Sequence, residues 1–217
     1  ALPLVRLASG HQPPVPAAAL ESMPEDNFPE RPDNHFQRVV GTVVHLALEE
    51  LSLNDTLPDD PGEAERERWR CALRSEGLVG ETLEEAMELV LESVQRTLGE
   101  DEGRWVLSCR HPGARSEWAL SLADAQGRQR DIVIDRTFVD GATGVRWVVD
   151  YKTSHPAPDE DMAAFTAREE EHYRGQLECY RDALREVGSE PLRCALFFTA
   201  LGKLHHMPDL DCPAREA

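Results

Sequence analysis

Apolar residues recur at three- and four-residue steps between positions 36 and 53, where Val39, Val40, Val43, Val44, Ala47, Leu48 and Leu51 fall on one side. That spacing follows the 3.6-residue turn and predicts an amphipathic helix with a wide buried stripe. His45 lies inside this run, beside the stripe. The segment NDTLPDDPGEAE reads as a loop. Two further helices are predicted over 64–75 and 81–98. In the second, Leu83, Met87, Val90, Leu91, Val94 and Leu98 form the stripe, and Thr82 with Glu85 reads as a capping box. The numerous glutamates of this stretch read as a solvated face.

The period then falls to two. Strands are predicted over 104–108, 116–122, 130–140 and 145–154, with glycines at 127, 141 and 144 at the turns, as an antiparallel meander. A long helix over 162–187 follows, then a strongly apolar strand over 193–200. Gly202 turns the chain into a short last strand over 203–207. Helices, several strands, one long helix and one more strand predict an α/β fold with a mixed sheet. Residues 1–34 carry repeated prolines and no period, and read as a leader; 35–210 read as one domain and 211–217 as a tail.

This pattern places chemistry in the sheet. Positions i and i+2 of a strand share a face, so Asp150 and Lys152 stand side by side. If strand 130–140 pairs with strand 145–154 across their glycine turn, Asp135 comes level with Asp150. Two carboxylates and an ammonium then converge. Buried charges are costly unless paired or ligating a metal. Two close carboxylates without a cation push one pKa upward, whereas Mg2+ suits hard oxygen ligands. An Asp-x-Lys triplet alone is weak evidence, since chance supplies such triplets and a buried ion pair would explain it equally.

The 217 residues carry 41 acidic and 23 basic side chains, a net charge of −18. Phosphate neutralisation drives nucleic-acid affinity, so this balance argues against tight independent binding, though not against a site that meets phosphate through metal ions. No apolar run reaches the roughly 18 residues of a membrane span, and the first residues lack the pattern of a signal peptide. The five cysteines are scattered without a CxxC pair, which suits reduced thiols in a cytoplasmic protein.

Three further features join the triplet. Glu117 lies in SEWALSL one strand earlier; Gln176 and Tyr180 occur as GQLECY, one turn apart on the long helix; His45 sits in GTVVHLALEEL. The ordered set G-T-x-x-H, a strand Glu, I-D-R, D-Y-K-T and Q-x-x-x-Y resembles the PD-(D/E)XK nuclease superfamily. Within it, the set is most similar to the RecB/AddA-like nuclease domain at the C-terminal end of helicase–nucleases that process DNA ends (exonuclease V type). The resemblance runs from Phe36 to Met207.

What it implies is a restriction-endonuclease-like mixed central sheet flanked by helices. It also implies a metal site of His45, Asp135, Asp150 and the backbone carbonyl of Tyr151, holding Mg2+ with Mn2+ as an alternative. Glu117 would be an accessory acid, Lys152 the catalytic lysine, and Gln176 and Tyr180 supports of the site or DNA contacts. The implied partners are DNA, with single-stranded ends favoured, and a helicase motor on the same parent chain or complex; no membrane is involved. Ile132 stands where relatives often carry glycine. The cysteine spacing does not match the iron–sulphur cluster of some relatives, so no cluster is expected. Two other readings remain open: a nuclease-fold module without activity that serves DNA tracking or subunit assembly, and a small acidic partner-binding protein with a chance Asp-x-Lys.

Overall fold

The computed structural model describes residues 35–123 and 129–215. Helices α1 (His35–Ser52), α2 (Glu63–Ser75), α3 (Gly80–Gly99) and α4 (Asp101–Leu107) precede strands β1 (Arg115–Ala123), β2 (Gln129–Val139) and β3 (Arg146–Lys152). Helix α5 (Met162–Val187) then leads to β4 (Leu192–Phe198), β5 (Lys203–His206) and a 3-10 turn at Pro208–Leu210. The described strands form one sheet in the order β1-β2-β3-β4-β5. The β1–β2, β2–β3 and β4–β5 pairs are antiparallel, and β3–β4 is parallel. A parallel pair needs a long crossover, and α5 supplies it. This is the mixed α/β sheet the pattern predicts. The proline-rich leader lies outside the described residues, and Cys212 continues the chain beside Leu192 through a pair of backbone hydrogen bonds.

Each face of the sheet has its own core. On one, the α1 stripe (Val39, Val40, Val43, Val44, Ala47, Leu48, Leu51) packs with α3 residues Met87, Val90 and Val94 against Phe138, Val149, Tyr151 and Phe197. On the other, Phe165, Leu177, Tyr180 and Leu184 of α5 cover Ile132, Ile134, Val148, Cys194 and Leu196. Each large apolar side chain so buried stabilises the fold by about 1.5–3 kcal/mol. Burial pushes the Cys194 thiol up to about 12, which keeps it an inert protonated core group. Ile132 is buried in this second core.

Two sequence expectations are corrected. Residues 104–108 are not a strand: 101–107 form α4. A short apolar run cannot be assigned by period alone, and here long-range contacts select the helix. A β-carbon on Gly103 would stand 2.0 Å from the carbonyl oxygen of Thr97, so glycine lets α4 fold back against the end of α3. Buried Arg136 closes the other end of α4. Its Nε donates to Val106 O (2.9 Å) and its Nη2 to Leu107 O (3.2 Å) and Ser108 O (2.7 Å). Those carbonyls have no partner within the helix, and a cation suits that end of the helix dipole. The capping box at Thr82 is not formed either. The cap is Val79, without a side-chain hydrogen bond, and the Thr82 hydroxyl donates to the Val79 carbonyl.

Candidate active site

Strands β2 and β3 part at one level of the sheet. Their last paired positions are Arg136 opposite Val149. The next step of the same register sets Asp135 level with Asp150, as the alternation predicts. Beyond it the two strands fork, and the ladder bond is replaced by a side chain: Tyr151 N donates to Asp135 Oδ2 at 2.7 Å.

The fork extends into β1. Ser116 pairs with Arg136 and Trp118 with Ile134, while Glu117 between them drops out of the ladder. Glu117 has φ +44°, the only non-glycine in the left-handed region among the described residues. Such a conformation persists only where its surroundings impose it, and it gathers at functional sites. The alternation also slips here. Trp118 and Ile134 pack toward α5, yet Phe138 and the Arg136 guanidinium go to the α1–α4 side. Glu117 and Asp135 therefore sit at a local break in the pleat. Arg136 Nη1 holds that break by donating to Ser116 Oγ (3.0 Å), which contacts Ser52 Oγ at the end of α1 (2.8 Å).

Helix α1 presents His45 to the fork. Its Nε2 lies 3.2 Å from the Tyr151 carbonyl oxygen, and its Nδ1 lies 3.5 Å from Glu117 Oε1 and 3.7 Å from Asp135 Oδ2. One ligand atom from each of His45, Glu117 and Asp135 lies within 4.8 Å of the others, the spacing of residues that can share a metal ion. Asp150 is outside that trio but close enough to act on the charges of both His45 and Asp135, and Lys152 Nζ is 2.6 Å from its Oδ2. Lys152 also donates to Gln176 Oε1 (3.4 Å), and Gln176 Nε2 donates to the Tyr180 hydroxyl (2.7 Å). The chain thus brings all eight sequence-predicted site residues to one fork, with Glu117 nearer His45 than the accessory role implied.

Electrostatically the cluster is under load. Burial, and then the charge of Asp150, push the Asp135 carboxyl up to about 7. Burial disfavours a proton on His45, but Asp135, the contact with Glu117 and Asp150 outweigh it and raise the ring to about 9. Burial also opposes the charge of Lys152, and Asp150 more than offsets it, so the amine is raised above its usual range. Glu117 Oε1 and both Asp150 oxygens are buried without an aligned hydrogen-bond donor. Asp150 Oδ2 is nevertheless met by the Lys152 ammonium, which leaves Asp150 Oδ1 and Glu117 Oε1 as the oxygens without a hydrogen-bond partner. Orphaned buried carboxylate oxygens are rare. A hard divalent cation at the fork would satisfy oxygens of this kind, and a donor set of carboxylates, one imidazole and one carbonyl fits it.

The model of the PD-(D/E)XK nuclease superfamily matches residues 19–211, nearly the whole chain. The chain belongs to that superfamily. Its members are nucleases that use divalent metal ions, and the His45, Glu117 and Asp135 cluster offers ligand atoms for one. No curated protein matches the chain. Among the described residues, no helix is long and apolar enough to cross a membrane.

Two residues of the site escaped the sequence reading. Arg136 was on the page as the last letter of I-D-R, but nothing local says that it caps a helix about 30 positions earlier. Tyr173, whose ring lies 3.7 Å from Lys152 Nζ, is one turn before Gln176 on the same helix face. The i−3 spacing from Gln176 was the available signal.

Proposed function

We propose that this chain is a Mg2+-dependent DNA nuclease domain that hydrolyses phosphodiester bonds, with Mn2+ able to substitute. The observation that carries the reading is the fork: Asp135, Asp150 and Lys152 converge where two strands part, and Asp150 Oδ1 and Glu117 Oε1 are buried there without a donor.

His45, Asp135, Asp150 and the Tyr151 carbonyl would hold the cation, and Glu117 would add a carboxylate beside His45. The bound cation supplies Lewis acidity, which acidifies a bound water and polarises the phosphate. The remaining work falls to the chain. Tyr151 N keeps Asp135 oriented. Lys152 keeps a positive charge beside the carboxylates, where it can orient the attacking water and offset charge that develops on phosphate oxygens in the transition state. Gln176 holds the Lys152 amine, and Tyr180 holds Gln176.

The charge of −18 bears on the partner. A domain this acidic binds DNA weakly and with steep salt dependence. We therefore infer that it works in an ATP-dependent helicase–nuclease of the RecB type, in which a motor on the same parent chain or complex delivers single-stranded ends during recombinational repair. The test incubates the domain with linear and circular, single- and double-stranded DNA at low salt, with Mg2+, Mn2+ or EDTA, beside Lys152→Ala and Asp150→Ala. Metal-dependent cleavage that vanishes in both variants is expected, and circular substrates report endonuclease activity. Failure to cleave together with failure to bind metal by calorimetry would leave the inactive-module reading in its place.

A further inference from the structure

Three groups hold the Lys152 ammonium, and they differ in kind. Asp150 Oδ2 lies at 2.6 Å, Gln176 Oε1 at 3.4 Å and the centroid of the Tyr173 ring at 3.7 Å. The side chain is 14% exposed, so water does little to localise the charge. Asp150 is an anion, and any cation at the fork competes with Lys152 for it. Gln176 is neutral and at the long end of a hydrogen bond. The ring face attracts the ammonium through its quadrupole, and it takes no part in holding a metal.

We propose that Tyr173 is a positioning residue for Lys152, its ring face keeping the amine in place when Asp150 is engaged by a cation. The proposal rests on the nuclease reading above. Tyr173 touches no reacting atom; it acts through Lys152. The ring face carries the effect. Its surroundings fix the ring: Tyr173 lies on the face of α5 that bears Gln176 and Tyr180, and it packs on the core beneath that helix. His172 makes an edge contact with it, ring centroids 4.5 Å apart.

The test compares Tyr173→Leu and Tyr173→Phe under saturating DNA and Mg2+. Tyr173→Leu should lower kcat by about tenfold with KM unchanged, as loss of a partly desolvated cation–π contact predicts, and Tyr173→Phe should restore most of that rate. Phenylalanines with one, two and three ring fluorines at position 173 weaken the quadrupole at nearly constant shape, so kcat should fall step by step along that series. A side chain that merely packs would show no such gradient. A second readout needs no catalysis: ring current from Tyr173 should displace the ε-methylene NMR signals of Lys152, and Tyr173→Leu should abolish the displacement. Equal loss in the Leu and Phe variants, a flat fluorine series, or an undisplaced Lys152 signal in a protein that cleaves DNA would overturn the proposal alone. Absence of cleavage by the wild type with Mg2+ would instead overturn the nuclease reading, and the catalytic consequence of Tyr173 with it.

Discussion

The two halves of the fork are built on opposite terms. On the α1–β1–β2 side, His45, Glu117 and Asp135 crowd together; burial and Asp150 raise the Asp135 carboxyl, and the neighbouring carboxylates raise His45 against the effect of burial. On the β3–α5 side, Lys152 is met by an anion, an amide and an aromatic face, and its amide partner is met in turn by Tyr180. One half gathers carboxylates whose charges a cation would balance; the other is organised by its own side chains. The difference teaches where each kind of change should register. Substitutions in the first half should change metal affinity and metal-free stability. Substitutions of Lys152, Gln176 or Tyr180 in the second should change rate while leaving the metal alone, and Asp150, which both halves share, should affect both.

The largest effect should come from pairing Lys152→Ala with Asp150→Ala. Both should reduce cleavage by roughly a thousandfold or more, as loss of a group aimed at transition-state charge does. Calorimetry then separates them: Lys152→Ala keeps Mg2+ binding and Asp150→Ala loses it. If Lys152→Ala also loses the metal, the halves are one unit and the comparison fails.

Next is Arg136→Leu. It strips donors from the carbonyls of Val106, Leu107 and Ser108 and from Ser116 Oγ, all around a buried side chain. Among the described residues its guanidinium pairs with no carboxylate. Burial alone lowers its pKa, so the fold tolerates the charge only because these oxygens receive it. Denaturant unfolding should show a loss of about 3 kcal/mol, with α4 and the Glu117 bend released together. A variant as stable as the wild type would mean that the bend is held by something other than Arg136.

This residue also shows what the sequence could and could not say. The α1 and α3 stripes were readable because burial follows period: Val39, Val43, Leu48, Met87, Val90 and Val94 are all buried. The alignment of Asp135 with Asp150 followed from strand alternation and a short glycine turn. Helix α4 was misread as a strand because its stability comes from Arg136 and from the close approach at Gly103, and neither has a local signature. The same holds for the left-handed Glu117, whereas Tyr173 had a weak local signal in its i−3 spacing from Gln176. Period reports which side of an element is buried; it does not report which distant group meets an orphaned carbonyl or a charge.

A smaller effect separates metal-free from metal-bound protein. Asp135 is raised from its ordinary 3.8 to about 7 in the fold, so the metal-free fold loses stability as pH rises from about 4 through 7. His45 is raised from 6.5 to about 9, so its contribution is full below 6.5 and is lost as pH rises through 9. Both signs agree: metal-free protein should be less stable at pH 8.5 than at pH 5.5. A cation takes the place of those protons. Mg2+ should therefore raise the thermal midpoint more at pH 8.5, with a stabilisation of about 3 kcal/mol at a hundredfold excess over Kd. A Mg2+ effect that shrinks with pH would contradict the idea that the first half binds a cation in place of those protons. Asp135→Asn should remove the effect without lowering metal-free stability at pH 8.5.

The finest division lies within the organised half. Tyr180→Phe keeps the buried ring and deletes only the oxygen that accepts from Gln176 Nε2 at 2.7 Å. That hydroxyl stays protonated, since burial and then Asp150 and Asp135 push its pKa above the usual range. The variant should unfold about 1 kcal/mol more easily, the usual net worth of such a bond. Its second consequence is specific. Gln176 would lose the contact that fixes its amide, and the carboxamide oxygen facing Lys152 would be free to turn away. The expected result is a fall in kcat of a few fold with Mg2+ affinity intact, because no ligand of the first half has moved. If Mg2+ affinity falls as well, order in the β3–α5 half reaches across the fork to Asp135, and the two halves are coupled through the backbone of Tyr151, which lies between Asp150 and Lys152 and donates to Asp135.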